Sequence, residues 1–120
     1  METLIANIPS KRIYDVNTNG QIFNRLNKPL KGKPNPKSKT LKTLDFTNLE
    51  EKRQGLSFQK IVWNTFHPDD VVQENEIIKL KETNTEYPLA VTNLIKISRK
   101  ENVKIINEIR LSKAKTRNKK

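Results

Sequence analysis

LSFQKIVWNTFHP, residues 56–68, restricts the fold more than any other stretch of the chain. Phe58, Ile61, Val62 and Phe66 recur at helical spacing, Trp63 widens the stripe, Ser57 stands as an N-cap, and Pro68 stops the helix. The stripe reads as core packing rather than a cofactor box. Around this helix the remaining apolar residues come in short β-type pieces, so the expected class is α+β.

Residues 13–31, IYDVNTNGQIFNRLNKPLK, predict a β-hairpin: Ile13, Tyr14 and Val16 on one arm, Ile22 and Phe23 on the other, and Asn19-Gly20 between them. An isolated hairpin is marginal, which implies a small half-buried sheet. KPLKGKPNPKSK (28–39) has too much proline for a helix or a central strand and reads as an exposed basic arm. TLKTLDF (40–46) suggests a short strand, and TNLEEKRQG a polar connection. Further on, β-rich pieces around Ile77–Leu80 and Leu94–Ile97 flank a polar stretch with Pro88. Ser98-x-x-Glu101 is then a capping box that opens a helix to about Lys113. Val103, Ile106, Ile109 and also Ile105 form that helix's apolar face. The expected order is a lead-in (1–12), a hairpin, arm and helix (13–68), a strand–loop–strand–helix unit (69–113) and a disordered basic tail (114–120). No internal repeat is visible.

Charge narrows the function. The 120 residues carry 24 Lys and Arg against 13 Asp and Glu, a net +11, and only 33% of them are hydrophobic. Residues 25–42 hold seven bases and no acid, and residues 98–120 nine bases and two acids, whereas 43–97 is net acidic. Two cationic blocks around an acidic middle suit a phosphate backbone better than they suit general solubility. With no cysteine and the single His67, disulfides, thiolate zinc and multi-histidine centres are excluded. A bound metal would be a hard cation held by oxygen. There is neither an apolar run long enough to span a membrane nor a signal-like leader. The expectation is a soluble cytoplasmic protein with no membrane partner.

Several short segments, in order, resemble the phage and intron-associated HNH homing endonucleases with an N-terminal NUMOD4 motif. YDVNTNGQIFN (14–24) is similar to the YxVSNxGxVxS hairpin, FQKIVWNTFHP (58–68) to the VHRLVAxAFxP helix, and TNLIKISRKEN (92–102) to the ENLEWVTxxEN segment that closes the HNH site. The resemblance implies a NUMOD4-like region over 13–68 and an HNH-type ββα unit over 69–113. In that family an Asp-His pair in a DHxDGNxxNN loop supplies the general base and a ligand for one divalent metal, and a central Asn pins the loop. Counting back from Asn93 by the family spacing puts the His at Lys81 and the Asp at Leu80; a one-residue gap puts them at Leu80 and Lys79. Neither register yields a histidine or its aspartate. Asn93 matches the central Asn, and Asn102 the third position, where it is a weak metal ligand.

The resemblance thus implies an HNH-shaped frame that binds duplex DNA without cutting it. Arg25, Lys28, Lys31, Lys33, Lys37, Lys39 and Lys42 would track one stretch of backbone, and Arg99, Lys100, Lys104, Arg110, Lys113 and Arg117 another. Lys81, in place of a base, suits a phosphate. No cofactor is expected on this reading. The alternatives are a Mg²⁺-dependent nickase using His67 or Glu82, and a basic structural component of a phage particle or larger assembly, in host cytoplasm or virion. RNA remains an alternative ligand to DNA.

Overall fold

The computed structural model describes the backbone of residues 2–35 and 38–118, and the side chains within it except those of 34–41 and 109–118. Lys37 therefore lies outside the described residues, as do the side chains of Lys39, Arg110, Lys113 and Arg117.

The Asn-Gly dipeptide makes the turn expected of it. Strands β2 (Asp15–Asn17) and β3 (Ile22–Phe23) pair antiparallel with Val16 opposite Ile22. Asn17 organises the connection: its Oδ1 accepts from the N–H groups of Asn19 (3.1 Å) and Gln21 (3.0 Å), and Gly20 takes φ +82°. The same device recurs twice. Asn24 Oδ1 accepts from Leu26 and Lys28 N–H with Asn27 at φ +60°, and Asn48 Oδ1 from Glu50 and Lys52 N–H with Glu51 at φ +66°. A short polar side chain that satisfies two backbone donors is what favours Asn at the head of such turns. The lead-in contributes more than sequence reading gave it, because β1 (Thr3–Ile5) adds a third strand along β2.

A second sheet is built on the short strand expected at 40–46, and its two outer strands lie where an exposed basic arm and a polar connection were expected. β4 (Lys33–Asn35), β5 (Ser38–Thr47) and β6 (Arg53–Ser57) form an antiparallel sheet in that order. β4 is an edge, where Pro34 removes no ladder bond that the sheet requires; this is how a proline-rich stretch becomes a strand. The other edge, β6, accommodates Gly55.

Ser57 ends β6, paired with Thr43, and α1 (Phe58–Phe66) follows at once. Ser57 flanks the helix as expected but makes no side-chain cap bond. Phe58, Ile61 and Val62 are buried against Val16, Ile22, Leu44, Phe46, Leu89 and Leu94, residues drawn from all three sheets and the loop before β8. Each such side chain contributes about 1.5–3 kcal/mol on leaving water, so this one helix holds the layers together. Gly32, at φ +67°, lies on the Phe58 ring: a Cβ there would come within 2.7 Å of it.

The last unit has the expected order. β7 (Glu76–Leu80) and β8 (Leu94–Ser98) pair antiparallel from Glu76↔Ser98 to Leu80↔Leu94, with a 3₁₀ turn at Val91–Asn93. Lys96, mostly covered, bridges Asp70 and Glu76. Those two carboxylates raise its ammonium pKa above the ordinary lysine range, with desolvation opposing them. Ser98 Oγ accepts the Glu101 N–H at 3.0 Å, which caps α2 (Arg99–Asn118) as expected. The helix continues past Lys113. Its apolar face is left open: Val103, Ile105 and Ile106 are 55%, 36% and 38% exposed. No helix among the described residues is long and apolar enough to cross a membrane.

Candidate nucleic-acid interface

The β7–β8 loop is tied at its neck by one side chain. Asn93 Oδ1 accepts the Glu82 N–H (3.1 Å), and its Nδ2 donates to the carbonyls of Glu82 and Pro88, both at 2.7 Å. The Lys81 N–H donates to Asn93 O at 2.8 Å, extending the ladder one residue past β7. Strand alternation then sorts the residues. Ile78 and Leu80 pack on the core, while Lys79 and the exposed Lys81 take the opposite side with Ile95, which is 43% exposed. Across β8, in the first turn of α2, Asn102 Oδ1 is buried and has no hydrogen-bond partner.

The fold is similar to that of a known protein. A structure of the HNH homing endonuclease I-HmuI, solved for its DNA binding and cleavage, matches with a TM-score of 0.60 at 19% identity. The match covers 97% of this chain and 65% of that one, so the chain spans under two thirds of its neighbour's length. The chain has an HNH-endonuclease-like fold. No family model matches the sequence, and neither does any curated protein.

The two residues named as candidate catalysts lie in different parts of the chain. His67 is the C-cap of α1, its ring 4.0 Å from that of Trp63. Trp63 Nε1 in turn donates to Asp70 O at 2.8 Å, fastening the turn that follows the helix. Glu82 lies in the β7–β8 loop, its backbone held by Asn93 and its side chain exposed. Among the described residues, no group of three or more His, Asp or Glu side chains converges to hold a metal.

The cations divide by what they touch. Arg25, Lys28, Lys31, Lys81, Lys100 and Lys104 are exposed, and Lys42 is half-buried on β5. Lys33 is engaged with Asp45 at 2.7 Å. That ammonium holds the Asp45 carboxyl below the usual range, partly offset by desolvation, with Arg53 adding a smaller pull. The stabilisation is therefore present above the ordinary carboxylate pKa and fades as pH falls through the lowered one. Arg99 Nε donates to Glu74 O at 3.0 Å, which ties the start of α2 to the segment before β7. Sequence reasoning passed over Lys79 as a cation on the same side as Lys81. The period-two alternation of IIKLK, with Ile78 and Leu80 inward, was the signal that could have found it.

Proposed function

We propose that this chain binds duplex DNA through an HNH-like frame that does not itself cut. The observation that carries the reading is the contrast within one loop. Asn93 keeps the neck formed, while the strand end where the resemblance calls for an acid and a base reads Lys79-Leu80-Lys81. Leucine binds no metal, and a lysine ammonium neither accepts a proton nor ligates a divalent ion; it does attract a phosphate. Mg²⁺ does not fit this donor set. Asn102 Oδ1 is one neutral oxygen, without the carboxylates that Mg²⁺ binding ordinarily uses. The +11 net charge and the likeness to a DNA-binding endonuclease point the same way.

Binding would be mainly to backbone, through Arg25, Lys28, Lys31, Lys79, Lys81, Lys100 and Lys104, with a logarithmic salt slope of about −0.9 per phosphate neutralised. The test is a salt-titrated binding assay on duplex DNA, single strands and RNA, beside incubation of supercoiled plasmid with Mg²⁺ or Mn²⁺. Salt-sensitive duplex binding without nicking is expected. Replacing Lys79 and Lys81 together by alanine should lower the slope by about one to two units, one per lost phosphate contact. Metal-dependent nicking that disappears in His67→Ala or Glu82→Ala would overturn the reading. Preference for an acidic protein over DNA at moderate salt would favour an assembly component instead.

A further inference from the structure

Beside the Asn93 neck, sharing only Pro88 with it, lies a groove of about 410 Å³ between the hairpin turn and the loop at 85–89. Its walls are set by backbone contact. Gly20 approaches Leu89 so closely that a Cβ would meet the Leu89 carbonyl oxygen at 2.2 Å, and the Val91 N–H donates to Thr18 O at 3.0 Å. On the other side Gly32 seats the arm on Phe58, whose ring forms part of the floor. Rim side chains on such a base need little reordering to receive a ligand.

The rim is chemically two-sided. Lys31 and Lys42 line one wall; Tyr87, 38% exposed, and Glu86 line the other, and Gln21 offers an amide from the hairpin. Two lysines and a tyrosine around one groove, with Phe58 in its lining, match a molecule with an anion at one end and a flat ring at the other. A volume of this size suits a mononucleotide, and mostly apolar pockets with a few placed polar groups are the usual form of small-ligand sites. We propose that this groove binds one unpaired nucleotide, its base against Tyr87 and its phosphate between Lys31 and Lys42. Glu86 fixes the direction. Its carboxylate repels the phosphate from the Tyr87 wall and accepts from a base amino group or a sugar hydroxyl.

The inference rests on the nucleic-acid reading above and deepens it. One aromatic ring holds one base, so backbone contact remains the main mode on a duplex, with the groove taking a nucleotide that has left its stack. The same nucleoside phosphate chemistry has two sources, a strand or a free nucleotide, and the experiment separates them. At 14.0 kDa the full chain suits amide chemical-shift mapping. The labelled protein is titrated with deoxyadenosine monophosphate, inorganic phosphate, a short single strand, and a duplex of the same sequence.

The mononucleotide is expected to shift the amides of Gly20, Lys31, Lys42 and Tyr87, and inorganic phosphate to shift the lysines more weakly. Tyr87→Ala should weaken nucleotide binding about tenfold, Tyr87→Phe should preserve it, and Lys42→Ala should weaken it. Tighter binding of the single strand assigns the groove to strands, and equal or weaker binding assigns it to free nucleotides. Unmoved groove amides, or Tyr87→Ala binding as wild type does, would overturn the proposal. With duplex binding intact, that result rejects the groove alone. Loss of all duplex binding in the wild type rejects instead the reading on which it rests.

Discussion

The two ends of β8 are built to different standards. At its start Asn93 spends its whole amide on the neighbouring loop, donating twice and accepting once. Just past its end, Asn102 carries a buried oxygen that nothing satisfies, on a helix whose apolar face is open. The first amide is explained by the fold that it holds. The second is not, since a buried acceptor without a partner costs about 1–3 kcal/mol. Where architecture accounts for a polar side chain, function is a superfluous explanation for keeping it; where architecture does not, the residue is the one to test.

Gly20→Ala should break the fastened end most severely. It places a methyl group 2.2 Å from Leu89 O and asks an L side chain to hold φ +82°. Left-handed strain of about 1–2 kcal/mol adds to a similar overpacking cost, for a loss of roughly 3 kcal/mol in urea unfolding. A loss under about 1 kcal/mol would mean that the turn and the loop move apart freely, and the groove between them would not be preformed.

Asn93→Ala attacks the same end from inside and should cost about 2 kcal/mol, with three modest hydrogen bonds lost at a partly exposed site. Faster amide exchange at Glu82 would accompany it, because that N–H loses its acceptor. Protection unchanged at Glu82 would show that the loop is held by the Leu89 packing alone, and the contrast with Asn102 would lose its basis.

How much of this was legible in sequence follows from how each element is stabilised. The hairpin, α1 and the β7–β8 pair carry periodic apolar residues or a turn dipeptide, and each lies where its period put it. In the sheet β4–β5–β6 only the central strand announces itself. The two edge strands tolerate Pro34 and Gly55, residues that mark loops elsewhere. Of the three Asn-headed turns, the one with Gly20 was readable; the one at Asn48 hides its positive φ under Glu51. Glu51→Gly should therefore stabilise the protein by about 1 kcal/mol, less a small loss from the exposed Lys11–Glu51 pair. A thermal midpoint that fails to rise would show that the strain is relieved by other means. In the candidate site, Asn93 was legible through the resemblance. The partnerless state of Asn102 was not, because which atoms surround a first-turn amide depends on how helix and strands cross, not on spacing.

The smallest effect is the most informative about the open end. Asn102→Ala removes an oxygen without a partner and raises helix propensity by about half a kcal/mol. The small cavity left behind offsets part of this, so the variant should be slightly more stable, by about 0.5 kcal/mol. Calorimetry of the two proteins at one pH and salt concentration decides the sign. A loss of 1 kcal/mol or more, the usual cost of breaking a made hydrogen bond, would mean that the oxygen is satisfied in solution and that both ends of β8 are fastened alike. If stability rises while duplex affinity falls, the fold has kept an unfavourable amide for the sake of its ligand, and Asn102 belongs to the interface. If stability rises and affinity is untouched, Asn102 has no part in binding, and the contacts must come from the cations around it.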